Sequence, residues 1–393
     1  QKLKKQLLTH GKKNLFVKQK MSAQAMFLNR YLKQYPQERD SVREEIERRK
    51  LAHFPYDAVN KDLAQKLIIA YCFPPYADTS GNVMAKRLGN MNEVAGVVYN
   101  KMDKVRDKDF SLNGLVDDLI EQRIDVPSYP SFSNWKAIED FCKSGMDRID
   151  QDKKYKEVYS RAMWPGSHFL AYEYKIKHPD VKWVAEFSDP IILDIHGKTR
   201  MAKIENEDFI KVVNKHIKKK LKLAPIKDTN LFFWCECLPY LFADELIFTN
   251  EHQLTYMIDT FPVKAIRPII KQKGIISPQP TLPKEFYDKH ESTYSLDDQK
   301  VNIAYFGTFY KTRNLDDLFM GLKQVRKDLK EQIVLHIFTA KPAELKEDLK
   351  GSEFEELVKV NPYVGYTEFL KLTTQFDCLV VNDAHTKDSK PLN

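Results

Sequence analysis

Short apolar runs in this chain end on residues able to handle anions and hydroxyl groups. Val301 to Phe306 is followed by Gly307, Lys311, Arg313 and then a helical pattern. Glycine permits close backbone approach, and a guanidinium grips phosphate oxygens in bidentate fashion, with Lys311 a weaker second cation. Leu67 to Phe73 is followed by Pro74-Pro75 and then Ser80-Gly81 at a helix start. Ser80 and Gly81 suit either an N-cap and tight turn or a helix end facing a substrate. Lys182 to Phe187 closes on Ser188-Asp189-Pro190, where Asp189 can accept a hydroxyl hydrogen bond or cap a turn. Metal chemistry has weaker support. Asp107-Lys108-Asp109 and Asp150-Gln151-Asp152 lie in charged, loop-like sequence, and Cys235-Glu236-Cys237 lacks a second pair at zinc spacing. We therefore expect no metal site, and buried thiols at the Cys pair.

The elements that position these residues follow from periodicity. From residue 67, strand-like runs (67–73, 94–99, 155–159, 182–187, 245–248) alternate with helical stretches, which implies βαβ units and a parallel sheet. Five prolines between Phe261 and Pro283 read as a linker. A second series follows: strands at 301–306, 333–339, 360–364 and 378–381, with helices at 315–330, 343–349 and 367–374. The expected architecture is α/β with two Rossmann-like domains, the second incomplete. Residues 1–66 form a basic helical N-terminal arm, 67–285 the first domain and 286–393 the partial second. In open α/β sheets ligands bind beyond the carboxyl ends of the strands, which is where the residues above lie.

Composition bounds the function. The 393 residues carry 63 Lys/Arg against 55 Asp/Glu, a net charge of +8. Residues 1–66 hold 16 of those cations and 7 of the acids, so the arm carries the excess and the body is near neutral. With 42% hydrophobic and 12% aromatic residues the chain is not disordered. No run reaches the roughly 20 apolar residues of a membrane span. Leu231 to Phe248 comes nearest, broken by Glu236, Pro239, Asp244 and Glu245. Five scattered cysteines and no visible secretory signal favour a reducing, cytoplasmic setting. Between Phe209 and Leu223, Ile210, Val213, Ile217 and Leu221 form one stripe, with lysines from Lys211 to Lys222 around it. Such a helix either packs on the sheet through its stripe or docks on an anionic membrane surface. The arm lacks interleaved aromatics, which argues against nucleic acid.

In order and spacing, several segments resemble the GT-B fold of glycosyltransferases, particularly retaining family 4, over roughly residues 67–393. They are Tyr71 to Asn82, Trp183 to Pro190, Ala243 to Asn250, Phe306 to Asn314 and Phe376 to Asp383. The resemblance implies a metal-independent hexosyltransferase using a nucleotide-diphosphate sugar, with UDP the commonest nucleotide, and no cofactor. The acceptor would be a glycan or lipid-linked molecule of cell-surface polysaccharide, teichoic-acid-like polymer or glycolipid synthesis, reached at the inner face of the membrane. Ser80, Gly81, Gly307, Lys311 and Arg313 would bind the nucleotide sugar. His168, in Trp164-Pro-Gly-Ser-His168, resembles a position facing the cleft and would join Asp189 in catalysis. Two departures stand out. The family's Gly-Arg pair reads Gly307-Thr308, and its pair of Glu seven residues apart would fall beyond Asn393. Both ends, Gln1 and Asn393, read as cut. A non-catalytic partner of the same fold is the alternative.

Overall fold

The computed structural model describes residues 15–49, 51, 54–149, 153–162, 164–288, 291–307, 309, 315–325, 329 and 332–382. Thr308, Lys311, Arg313, Asp150, Asp152 and Asp383 lie outside them. The chain divides into two compact units, with the boundary between Pro280 and Thr281.

The first unit opens with helices α1 (Leu15–Gln34), α2 (Arg39–Arg48) and α3 (Tyr56–Val59), then strand β1 (Lys66–Ile69). There follow α4 (Thr79–Met91), β2 (Ala95–Asn100), β3 (Ile120–Val126), α5 (Trp135–Arg148), β4 (Glu157–Ala162), α6 (Gly166–Lys177) and β5 (Lys182–Phe187). After them come α7 (Glu207–Leu221), α8 (Leu231–Phe242), β6 (Glu245–Phe248), α9 (Glu251–Thr260), α10 (Arg267–Lys273) and β7 (Gly274–Ile276). The seven strands form one sheet in the order β3-β2-β1-β4-β5-β6-β7, and every pair is parallel. β1, β2 and most of β4 and β5 are buried along their length, as strands covered on both faces must be.

Successive side chains point to opposite faces of a strand, and the two faces here differ in kind. Leu67, Ile69, Val158, Trp183, Ala185 and Phe187 join Trp135, Phe141, Phe169 and Trp234 in one large apolar core. The alternate residues Tyr159, Arg161 and Glu186 meet α4 on the other face. α8 is buried at every position, which explains the apolar run that came nearest to membrane length. Among the described residues no helix is long and apolar enough to cross a membrane. The α7 stripe also serves the core: Val213 and Ile217 are fully buried, Ile210 and Leu221 pack beside them, and the lysines stay exposed.

The structure corrects the expected linker. Pro262 follows α9, and Pro268 sits in the first turn of α10, where a missing N–H costs nothing. The segment then supplies β7, the seventh strand. β3 and α5 went unread in the sequence, β3 because Glu121, Gln122, Arg123 and Asp125 interrupt its apolar positions. The basic arm is tied to the sheet edge. Asn29 Nδ2 donates to the carbonyls of Val59 (2.7 Å) and Lys61 (2.8 Å). Asn60 Nδ2 donates to those of Asp118 and Ile120, both at 2.9 Å.

The second unit contains α11 (Lys284–Asp288), β8 (Val301–Phe306), α12 (Asp316–Gln324), β9 (Ile333–Thr339), α13 (Pro342–Leu349), β10 (Val358–Pro362), α14 (Tyr366–Leu372) and β11 (Cys378–Val380). Its four strands are parallel in the order β10-β9-β8-β11. His336 on β9 is fully buried. Its Nδ1 pairs with Tyr294 Oη at 2.7 Å and its Nε2 with Asn302 Oδ1 at 3.0 Å. Burial, with Lys359 adding to it, pushes this imidazole down to about 4.

Replacing Asn60 by Ala removes its hydrogen bonds to the carbonyls of Ile120 and Asp118, of which the second keeps Arg39 Nη2 as a donor. Loss of about 1–3 kcal/mol of stability is expected, read as a lower urea midpoint in equilibrium unfolding.

Candidate functional site

The strand order of the first unit reverses between β1 and β4, and in open α/β sheets the crevice at the carboxyl ends of such a strand pair is where ligands bind. α4 enters it from β1. Asp78 caps that helix: its Oδ1 accepts from the backbone N–H of Ser80 (2.8 Å) and Gly81 (3.4 Å), and its Oδ2 accepts from Arg106 Nε at 2.7 Å. Two amides expected to face a ligand are thus occupied by the chain's own carboxylate. Gly81 has a packing reason. A Cβ there would lie 3.3 Å from backbone atoms of Cys72 and Phe73, so the bare glycine lets α4 start against the β1 loop. The Ser80 hydroxyl remains on the crevice side, 3.4 Å from Arg161 Nη1.

Arg161 closes β4 beside Glu186 on β5, its partner in register. Glu186 is fully buried. Its Oε1 accepts from Arg87 Nη2 (2.9 Å) and Arg161 Nε (3.2 Å), and its Oε2 from Arg87 Nε (3.3 Å) and the Tyr159 hydroxyl. Burial alone would raise this carboxyl. The charges of Arg161 and Arg87 outweigh it and hold Glu186 below the ordinary value. Arg87 also donates to Ser277 Oγ at 2.8 Å, joining α4 to the residue after β7. Lys86 is half-buried, and its ammonium is lowered by burial and then by Arg161 and Arg87.

Asp189 lies three residues beyond Glu186, at the same end of the sheet. It is half-buried, and among the described residues its carboxylate has no protein partner. The loop that carries it is clamped. Glu236 Oε1 on α8 accepts from Ile191 N (2.7 Å) and Ile192 N (2.9 Å), while Arg200 Nη1 donates to the carbonyls of Pro190 and Ile191. Tyr240 Oη donates to Glu236 Oε2 at 3.0 Å. Burial outweighs these bonds and pushes Glu236 up to about 7.

His168 is not at this crevice. It packs on the apolar face with no exposure, its ring against Trp183 and Phe187, and Nδ1 pairs with Ser160 Oγ at 2.8 Å. Ser160 and Arg161 are consecutive on β4 and so point to opposite faces. Burial pushes this imidazole down to about 3. The cleft-facing reading of His168 gives way to a neutral core group.

In the second unit Gly307 follows β8, and its N–H donates to the Phe338 carbonyl at 3.1 Å. A Cβ there would lie 2.5 Å from the Tyr305 hydroxyl, so the ring needs the glycine. Lys311 and Arg313, expected beside it, lie outside the described residues. Asp109 caps a short turn by accepting from Ser111 N, while the thiols of Cys235 and Cys237 are buried and raised by that burial. Among the described residues no three His, Cys, Asp or Glu side chains converge as a metal centre requires.

An open cavity of about 540 Å³ lies at the amino end of β6, lined in part by Lys175, Lys220 and Lys273. Two of these cations are already engaged. Lys273 Nζ donates to the carbonyls of Tyr240, Leu241 and Ala243 at the end of α8, and Lys175 Nζ to Val181 O and Asp244. The cavity therefore offers less free chemistry than the crevice.

Sequence reasoning missed Arg87, Arg161, Glu186 and Glu236. The available signal was a charged residue inside an apolar run: Glu186 in Trp183-Val-Ala-Glu-Phe187 and Glu236 in the run from Leu231 to Phe242.

No protein-family model and no curated protein matches the chain. Solved structures similar to it include HepE from Anabaena in complex with UDP-glucose, at 10% identity and a TM-score of 0.46, covering 80% of this chain and 72% of that one. A glycosyltransferase from Rickettsia africae is similar at 12% identity and a TM-score of 0.47, covering 81% and 72%. A UDP-N-acetylglucosamine 2-epimerase from Rickettsia bellii is similar at 13% identity and 0.38, covering 81% and 73%.

The placement of His168 sets a pH test. The unfolded chain binds a proton near the ordinary value of 6.5, and the folded chain only near 3. The stability linked to this group is full above pH 6.5 and is lost as pH falls toward 3, at about 1.4 kcal/mol per pH unit. Burial raises Glu173 and Glu236 to about 7, which acts in the opposite direction but equally in both proteins compared. Urea unfolding of the wild type and of His168→Gln between pH 6.5 and 5 should therefore diverge by that slope. Parallel slopes would mean that the imidazole titrates normally.

Proposed function

We propose that the chain is a GT-B glycosyltransferase acting on a nucleoside diphosphate sugar, with UDP as the nucleotide to test first. The observation that supports this reading most is the pairing of two doubly wound parallel sheets in one chain. In each, a glycine follows the first central strand: Gly81 in the first turn of α4 after β1, and Gly307 directly after β8. The resemblance of Phe306 to Asn314 to a donor loop makes the second unit the nucleotide-sugar unit. The first unit then receives the acceptor.

Glycosyl transfer breaks the bond between the sugar and the diphosphate, and charge grows on the leaving phosphate. Gly307 would let the diphosphate come close to the backbone, and the Arg313 guanidinium, with Lys311 beside it, would offset that charge. Asp189, without a partner among the described residues and held on a clamped loop, would accept the hydrogen bond of the acceptor hydroxyl. The resemblance implies retention of anomeric configuration and a cytoplasmic setting beside the membrane. The exposed lysines of α7 suit electrostatic approach to an anionic leaflet, since its apolar stripe is already used by the core. Acceptors of surface polysaccharide or glycolipid type fit that setting.

The alternative is a non-catalytic partner of the same fold, favoured by Thr308 in place of the family's arginine. Calorimetric titration of UDP into the full chain separates the two. Binding that Arg313→Ala weakens tenfold, about 1.4 kcal/mol, is expected for the enzyme. Absence of binding by UDP, GDP, ADP and CMP alike would overturn it. Asp189→Asn should lower turnover by about 10²–10⁴-fold and leave UDP affinity unchanged, as measured by steady-state transfer assay and calorimetry.

A further inference from the structure

Three cations surround one carboxylate in the crevice of the first unit. Arg87 is fully engaged, donating to both oxygens of Glu186 and to Ser277. Arg161 is not. Its side chain is 7% exposed, Nε reaches Glu186 and Nη1 reaches Ser80 Oγ. Among the described residues its Nη2 has no protein partner. Lys86 is half-buried on α4, within electrostatic reach of both guanidiniums, and among the described residues it makes no hydrogen bond or ion pair. Lys86, Arg87 and Arg161 against Glu186 leave two positive charges uncompensated.

Partly buried like charges repel, and an unpaired one costs free energy that a purely structural cluster would avoid. An anionic ligand removes that cost. α4's first amides do not serve it, because Asp78 fills them. The open donors are therefore side chains: the free edge of Arg161, the Lys86 ammonium and the Ser80 hydroxyl. A carboxylate would cancel one of the two surplus charges. A phosphate monoester, at about −1.5 to −2 near neutral pH, cancels both and presents three acceptor oxygens.

We propose that Arg161, Lys86 and Ser80 bind a phosphate ester carried by the acceptor. Calling the ligand the acceptor rests on the glycosyltransferase reading; the phosphate site itself rests on the crevice alone.

The test is calorimetric titration of sn-glycerol 3-phosphate into the full chain, into Lys86→Gln and into Arg161→Lys, with UDP titrated in parallel. Saturable binding is expected, weakened about tenfold by Lys86→Gln. The melting temperature of that variant should be unchanged or higher, because a repelled charge is gone. Arg161→Lys keeps a charge for Glu186 but loses the fork, and should weaken the phosphate further. Arg313→Ala should leave glycerol phosphate binding intact, which separates this site from the donor loop. Sedimentation with phosphatidic acid vesicles, against phosphatidylcholine alone, reads the source. Capture that depends on Lys86 assigns a lipid headgroup, and binding of glycerol phosphate only assigns a soluble ester.

No saturable binding, or equal affinity of wild type and Lys86→Gln, overturns the inference. If UDP still binds in that case, the glycosyltransferase reading stands without it. Lys86-dependent phosphate binding with no nucleotide bound would keep the site and overturn that reading instead.

Discussion

The first unit is organised around a carboxylate removed from water. Glu186 sits fully buried on β5, in a position where an unpaired charge would cost several kcal/mol. Two guanidiniums and a phenol hold it, and those partners come from α4 and β4. Through Arg87 the same group reaches Ser277, beyond β7. One ion cluster therefore fixes the first crossover helix against the middle of the sheet and ties it to the chain leaving the last strand. Removing Glu186 would leave Arg87 and Arg161 repelling each other in a site that water barely reaches.

The period of two along a strand explains why this cluster and the apolar core coexist. β4 alternates Tyr159 and Arg161 toward α4 with Ser160 and Ala162 toward the core. β5 does the same with Glu186 against Ala185 and Phe187. His168 belongs to the second face, where Ser160 is its hydrogen-bond partner. His336 plays a comparable part in the second unit, with both ring nitrogens paired. In each unit a buried neutral imidazole does structural work on a Rossmann-like sheet.

The crevice is preorganised by groups that need not touch a ligand. Asp78 fixes the start of α4, Gly81 lets it approach the β1 loop, and Glu236 with Arg200 holds the loop bearing Asp189. Rigid support of this kind is what a binding or catalytic side chain requires to keep its geometry.

The sequence alone determined the α/β alternation and the two units. β5, β6, β8 and β9 have the bounds read from their apolar runs, and β5 and β9 are buried at every position but the first, as strands covered on both faces are. The α7 stripe was legible as a helical period of 3.6. The tertiary structure decided what periodicity cannot carry. Three charged residues interrupt β3 on an edge of the sheet, so its apolar signal is weak. The Pro-rich stretch became a helix and a strand because β6 offered it an edge to pair with. Ser160, the partner of His168 on α6, went to the core and Arg161 to the crevice because adjacent residues of one strand face opposite ways. The chain's local pattern is silent on which face will meet α4. The pairing of Glu186 with Arg87, 99 residues away, exists only once the sheet has formed.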